Sequence, residues 1–199
     1  PDGSRVGENA DGLPIPPNDE IPTAFFIDNV GEAEAWGYEV EATYRAQFDY
    51  GATLLVNLGY AKGRGDVTEV GSDVSAATRA TAADAVLPYL RPNQVKGSFV
   101  YRQPLGGLSD VRGFGGSVLL ASATYAFEEG GVQNLSNSAA RSQDTVRRLN
   151  AHVGLETDNW SLFVRGENLT DHSYETWNNT TTYLRNPPRY VYGEFTYRF

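Results

Sequence analysis

The sequence has no cysteine and no methionine among its 199 residues. Without cysteine the chain forms no disulfide and offers no thiolate ligand to a metal ion. Because the chain opens on Pro1 and holds no methionine at any position, we expect it to be a fragment or a processed product.

Long apolar runs and an excess of basic residues are also absent. No stretch reaches the roughly 18 consecutive apolar residues that a transmembrane helix needs. Lys and Arg number 16 against 25 Asp and Glu, and this net charge of −9 argues against a nucleic-acid partner, which requires a basic face. What is abundant is Gly (21), Tyr (12) and Phe (9), a composition typical of β structure with tight turns and interfacial aromatic residues.

Residues 36–48 alternate strictly between apolar and polar positions. The apolar positions are Trp36, Tyr38, Val40, Ala42, Tyr44, Ala46 and Phe48, and the positions between them are Gly37, Glu39, Glu41, Thr43, Arg45 and Gln47. Period-two alternation predicts a β-strand with two unlike faces. Strands of soluble proteins average about 5–6 residues, so a strand of this length indicates a barrel wall between lipid and a wet lumen.

The same pattern returns along the chain. Further strands are predicted over residues 50–60, 93–103, 114–127, 144–157, 160–167 and 188–199. The connections alternate between short (near 49, 104–111, 157–159) and long (63–91, 128–142, 169–187). Because outer-membrane barrels have short periplasmic turns and long extracellular loops, the C-terminus is expected at the periplasmic side. The predicted fold is all-β, an antiparallel transmembrane β-barrel portion of seven long up-and-down strands, or eight if residues 23–28 form another.

Two segments frame this region. Residues 1–22 are rich in Pro, Gly, Asp and Asn, which predicts either an extracellular loop or a disordered start. At the other end, one face of the last strand carries Val191, Gly193, Phe195, Tyr197 and the terminal Phe199. A terminal Phe on the apolar face of a final strand resembles the signal that the barrel-assembly machinery recognises.

Three further segments resemble those of TonB-dependent outer-membrane receptors, in the family's order and spacing. They are N-V-G-E-A with G-Y-E-V-E (residues 29–41), E-N-L-T-D-H-S-Y (167–174), and N-P-P-R-Y with Y-R-F (186–190 and 197–199). Pro187 stands where the family commonly has Gly. We interpret Asn168, Leu169, Thr170 and Asp171 as an architectural motif, because Asn and Asp side chains hold the backbone where a strand becomes a loop.

The resemblance implies a function and a set of partners. Such receptors have a barrel of about 22 strands, an N-terminal plug domain and a motif that recruits TonB. They import scarce solutes, chiefly ferric siderophores, and also haem, cobalamin or oligosaccharides. Residues 23–199 would be the C-terminal section of such a barrel. Its partners would be outer-membrane lipid, the assembly machinery, the missing plug and remaining strands, and TonB only through the missing N-terminal part.

The long loop near the C-terminus is the candidate recognition site. Its aromatic and polar side chains suit a catecholate siderophore or a sugar; the candidates are Tyr174, Trp177, Asn178, Tyr183 and Arg185. The alternative is a membrane-interface girdle with a plain solvated loop.

No pattern indicates an enzyme or a metal site. His152 and His172 lack a third ligand at metal spacing, and no nucleophile-elbow motif occurs. We therefore expect no catalytic residue, no metal and no cofactor. Two other classes remain open: a small autonomous outer-membrane barrel with a structural or adhesion role, and a soluble β-sandwich binding protein.

Overall fold

A computed structural model describes residues 31–71, 79–80, 82, 85–108, 110–133, 142–178 and 183–199. The expectations for residues 1–22 and for a strand at 23–28 fall outside these residues.

The described chain forms one large antiparallel sheet and one small one. Two short strands, β7 (Glu175–Asn178) and β8 (Tyr183–Arg185), pair as a separate hairpin. The large sheet has the order β1-β2-β3-β4-β5-β6-β9. Its members are β1 (Gly31–Gln47), β2 (Thr53–Val70), β3 (Asn93–Pro104), β4 (Val118–Glu128), β5 (Val146–Glu156), β6 (Trp160–Glu167) and β9 (Tyr190–Tyr197). This confirms the predicted all-β, up-and-down antiparallel fold with seven long strands.

The strand register keeps the apolar positions together on one face. Cross-strand neighbours pair directly, so one row runs without interruption across all seven strands of the sheet. That row is Tyr44, Val56, Phe99, Ala123, Ala151, Gly166 and Val191. A shift of one residue in any strand would break the row, because it would turn that strand's apolar set to the other face. We call this side of the sheet the apolar face and the opposite side the polar face.

The apolar face is exposed rather than packed. Tyr44 is 62% exposed, Leu58 57% and Phe195 64%. Exposed apolar surface costs about 25 cal/mol per Å² in water, so a continuous face of this kind needs an apolar medium against it. In the described residues no second sheet of comparable size covers it, which removes the β-sandwich alternative.

Two predicted boundaries differ from those observed. Strand β2 continues through residues 63–70, where the Gly- and Asp-containing sequence predicted a loop, because this segment pairs with the first half of β1. Gly37 permits the pairing, since a Cβ there would lie 2.4 Å from the carbonyl oxygen of Lys62. Strand β4 begins only at Val118, so residues 114–117 belong to the preceding connection.

The connections separate into two ends of the sheet. At one end lie the turn at residues 48–52, the described part of the connection at 105–117 and the tight turn at 157–159. At the other end lie the described residues of the segments 71–92, 129–145 and 168–189. Gly51 adopts φ +82°, a left-handed conformation that suits glycine in the first of these turns. The hairpin of β7 and β8 lies within the last long segment, where only loop was predicted.

The two outer strands of the sheet are β1 and β9. Within the described residues neither pairs with another strand along its outer edge. Each therefore presents a row of backbone N–H and C=O groups that a neighbouring strand can satisfy.

Candidate functional site

The polar face of the sheet carries an open hollow of about 600 Å³. Side chains of both charges line it, contributed by neighbouring strands. They include the carboxylates of Glu39, Glu41 and Glu128 and the cations of Lys96 and Arg148. A surface of this kind suits water or a polar protein domain, in contrast to the face on the other side of the same strands.

Polar side chains also bond to one another across the strands. The Thr43 hydroxyl donates to Asn57 Oδ1 at 3.0 Å, and Asn57 Nδ2 donates to Ser98 Oγ at 3.2 Å. This ladder ties β1, β2 and β3 together on the polar face. Each bond contributes about 0.5–1.5 kcal/mol to stability.

A second polar cluster lies on the strands nearest the C-terminus. Arg165 donates to both carboxylate oxygens of Glu194 at 3.1 Å, and its guanidinium lies 5.1 Å from the ring centroid of Phe163. The ring of His152 packs edge-on against Phe163, and the Ser122 hydroxyl lies 3.1 Å from the His152 ring nitrogens. Ser122, His152 and Arg165 line a smaller hollow of about 190 Å³ together with Thr124, Asn150 and Glu167. The sequence showed the alternation but not this pairing, which depends on the strand register.

At the long-loop end, Arg91 joins two connections. Its Nη1 lies 3.1 Å from the carbonyl oxygens of Glu129 and Asp144, and its Nε lies 3.2 Å from the Glu128 carboxylate. The side chain is only 18% exposed. It therefore fastens the start of β3 to both ends of the segment between β4 and β5.

Replacing Arg91 with methionine is expected to loosen this junction. The variant leaves a carboxylate and two carbonyl groups without their charged donor, a loss of about 1.5–3 kcal/mol. Hydrogen exchange of residues 129–133 and 142–145 in the whole protein should accelerate accordingly. Arg64→Met is the matched control, because Arg64 is 65% exposed in its pair with Asp66 and such surface pairs contribute under about 1 kcal/mol. Equal exchange in the two variants would contradict the assigned role of Arg91.

The motif at residues 168–171 lies where β6 ends. Asn168 is 5% exposed with φ +48°, and its Nδ2 donates to the carbonyl oxygens of His172 at 3.2 Å and Pro187 at 3.0 Å. The Leu169 N–H donates to the Leu149 carbonyl, and the Thr170 hydroxyl donates to the Arg147 carbonyl, both at 2.7 Å.

Asp171, the last residue of the motif, contacts Arg189, which lies just before β9. It has φ +52°, accepts a bond from the Arg189 N–H at 3.1 Å and lies 3.7 Å from the Arg189 guanidinium. Together with Asn168 it joins the departing strand to the returning one.

The five candidate ligand residues divide between the hairpin and its base. Trp177 and Asn178 lie on β7, and Tyr183 and Arg185 lie on β8, with Asn178 opposite Tyr183. Arg185 is exposed and lies 3.8 Å from Glu175. Tyr174 is only 7% exposed, its N–H donates to Asn186 Oδ1, and its ring stacks against His172.

The four candidate assembly residues follow the last strand from its start at the long-segment end to the C-terminus, on the apolar face. Val191 is 60% exposed, Phe195 64%, Tyr197 52%, and the Phe199 side chain is fully exposed. Phe195 lies opposite Leu162, and Tyr197 lies opposite Trp160, so the last strand continues the apolar face of β6.

Metal sites and membrane-spanning helices are absent from the described part of the chain. No three of its His, Asp and Glu residues lie close enough together to hold a metal ion. Its helical segments are also too short and too polar to cross a bilayer.

Comparison with known proteins gives one match. The family model described as "TonB dependent receptor-like, beta-barrel" matches residues 4–169. No curated protein and no solved structure matches the chain. The matched family is one of outer-membrane transporters rather than enzymes. With the exposed apolar face, the polar opposite face and this match over most of its length, the chain belongs to the TonB-dependent receptor β-barrel family.

Proposed function

We propose that this chain forms the C-terminal section of the barrel wall in an outer-membrane receptor that imports a ferric siderophore. The observation that carries the proposal is the uninterrupted apolar row across seven strands, backed by a charged face on the opposite side. Lipid suits the first face, and a water-filled or plug-filled lumen suits the second.

Further strands complete the barrel in this proposal. The outer edges of β1 and β9 carry backbone groups without strand partners in the described residues, and each such group left unsatisfied in lipid costs several kcal/mol. A small autonomous barrel made of the seven described strands alone would require β1 to pair with β9, and the described sheet does not show that pairing. The match of residues 4–169 to the receptor β-barrel family favours the larger barrel.

A plug domain would occupy the polar face. Its side chains would contact the carboxylates and cations of the 600 Å³ hollow, and TonB would act through that domain rather than on this wall. Charged groups on both sides of such a contact favour a correctly oriented, polar interface.

The hairpin of β7 and β8 would contribute to solute recognition at the extracellular end. Trp177, Asn178, Tyr183 and Arg185 would contact the solute, and the buried Tyr174 would support the hairpin from its base. Arg185 gives an exposed cation, which suits a ferric catecholate because that complex is an anion with aromatic rings.

The test is binding of ferric siderophores to the full receptor purified from iron-starved cells. Trp177→Ala should raise the Kd about tenfold, or about 1.4 kcal/mol, as expected for an aromatic anchor. Tyr50→Ala, which removes a 59% exposed tyrosine at the short-turn end, should leave the Kd unchanged. Binding of an oligosaccharide, haem or cobalamin in place of every ferric siderophore would overturn the proposed solute.

Assembly into the membrane should depend on Phe199. Phe199→Ala removes the fully exposed terminal ring of the apolar face and is expected to lower the amount of folded receptor in the outer membrane several-fold. Heat-modifiable migration of outer-membrane fractions measures this amount. Tyr50→Ala again serves as the control, and an equal yield from both variants would argue against an assembly role for Phe199.

A further inference from the structure

The connection between β3 and β4 folds as a chain of tight turns. Three successive backbone bonds link residues three apart: Leu108 N–H to Leu105 C=O, Val111 N–H to Leu108 C=O, and Phe114 N–H to Val111 C=O, at 2.9–3.0 Å. These turns begin and end on four apolar residues, Leu105, Leu108, Val111 and Phe114, which we call the apolar stripe.

The apolar stripe is joined to the apolar face of the sheet. The ring of Phe114 packs edge-on against Trp160 with centroids 5.3 Å apart, and Trp160 Nε1 donates to the Gly113 carbonyl at 2.7 Å. Trp160 belongs to the apolar face, where it lies opposite Tyr197 and 6.4 Å from the ring of Phe195. The connection thus meets the sheet on its lipid side rather than on its polar side.

Hydrogen bonds fix the connection in this position. The Asp158 N–H donates to the Gly115 carbonyl at 3.1 Å, which attaches the connection to the turn between β5 and β6. Ser117 is 2% exposed and bonds through its hydroxyl to the Phe114 carbonyl. Gly113 and Gly116 adopt φ +86° and +62°, conformations that keep the chain in this compact path.

The middle of the stripe has no cover in the described structure. Leu108 is 38% exposed and Val111 48%, and the neighbouring Asp110 and Arg112 are exposed as well. The exposed apolar side chains continue the apolar face, which contacts lipid in the proposed function, while Arg112 adds a cation suited to a phospholipid phosphate.

We propose that this connection is a membrane foot, which lies in the periplasmic interface of the outer membrane and inserts Leu108 and Val111 among the phospholipid chains. The occupant is phospholipid because the stripe continues the lipid-contacting surface through Phe114 and Trp160. The membrane foot would fix the depth and the tilt of the sheet in the bilayer at its short-turn end. This inference rests on the proposed function only in that the apolar face of the sheet contacts lipid, and it is independent of which solute is transported.

Depth-dependent quenching tests the membrane foot. Leu108→Cys and Val111→Cys are made separately in the full receptor, labelled with a bimane and reconstituted into phosphatidylethanolamine and phosphatidylglycerol vesicles with or without brominated acyl chains. Leu162→Cys, 49% exposed on the apolar face, is the lipid-contact control. Asp110→Cys, one residue from Val111 and off the stripe, is the solvent control.

Both stripe positions should be quenched by brominated lipid about as strongly as Leu162→Cys and at least about twofold more than Asp110→Cys. Unchanged heat-modifiable migration establishes that each variant is folded, and the two stripe positions give independent readings. Quenching no stronger than at Asp110→Cys would overturn the proposal. Protection from a soluble maleimide in cells without quenching in vesicles would also overturn it, because a protein rather than lipid would then cover the stripe.

Discussion

Replacing Val164 with arginine is expected to lower the free energy of unfolding of the barrel by about 2–4 kcal/mol, the cost of a cation facing the middle of a bilayer. Val164 lies midway along β6, is 52% exposed on the apolar face and has Val153 and Gly193 as its cross-strand neighbours. No acidic side chain stands directly opposite it in either neighbouring strand. The charge would therefore face lipid without a partner.

The control for Val164→Arg is the same substitution on the other face. Thr124 lies midway along β4, is exposed on the polar face and pairs with Ser98 and Asn150. Thr124→Arg should change the free energy of unfolding by less than about 1 kcal/mol, because its charge remains solvated. Urea titrations of the full receptor in phospholipid vesicles measure both values. An equal loss of unfolding free energy in Val164→Arg and Thr124→Arg would contradict the assignment of one face to lipid and the other to water.

Asn168→Ala is expected to destabilise the protein by about 2–3 kcal/mol. The substitution removes two amide hydrogen bonds, to the carbonyl groups of His172 and Pro187, at about 1 kcal/mol each. It also places alanine at φ +48°, a left-handed conformation that asparagine tolerates through local hydrogen bonds of its short side chain and that costs alanine about 1 kcal/mol. Unfolding in denaturant gives the total, and limited proteolysis of the long segment reports its local release.

Two further variants separate these causes. Asn168→Gly loses the hydrogen bonds but tolerates the positive φ, so it should recover about 1 kcal/mol relative to Asn168→Ala. Asp171→Ala should cost less than about 1 kcal/mol beyond any backbone effect, since its pair with Arg189 is about half exposed on both sides. If Asn168→Ala were as mild as Asp171→Ala, the buried amide would not hold the segment.

The strands were predictable because alternation is a local property. Residues 36–48 show their two faces without any knowledge of neighbours, and the same holds for most of β3, β5 and β9. The strand conformation of residues 63–70 was missed because Gly63, Gly65 and Asp66 have low strand preference by themselves. That conformation comes from pairing with β1, a contact between distant parts of the chain.

The polar clusters were beyond prediction for a related reason. The alternation placed Arg165 and Glu194 on the polar face, yet only the register brings Arg165 opposite His152 and within 3.1 Å of Glu194. Register depends on turn lengths and on bulges such as the one between Glu32 and Ala33. Among the candidate ligand residues, the burial of Tyr174 was likewise invisible, because it follows from the fold of the hairpin.

Spin-label accessibility along β4 tests the central claim most directly, namely that one face of this sheet contacts lipid and the other does not. Labels are placed singly at positions 121–126 of the full receptor in phospholipid vesicles. The account predicts strong collision with oxygen, which partitions into lipid, at Ala121, Ala123 and Tyr125, and weak collision at Ser122, Thr124 and Ala126. Loss of this two-residue alternation, or equal access of a water-soluble nickel chelate to all six positions, would contradict it.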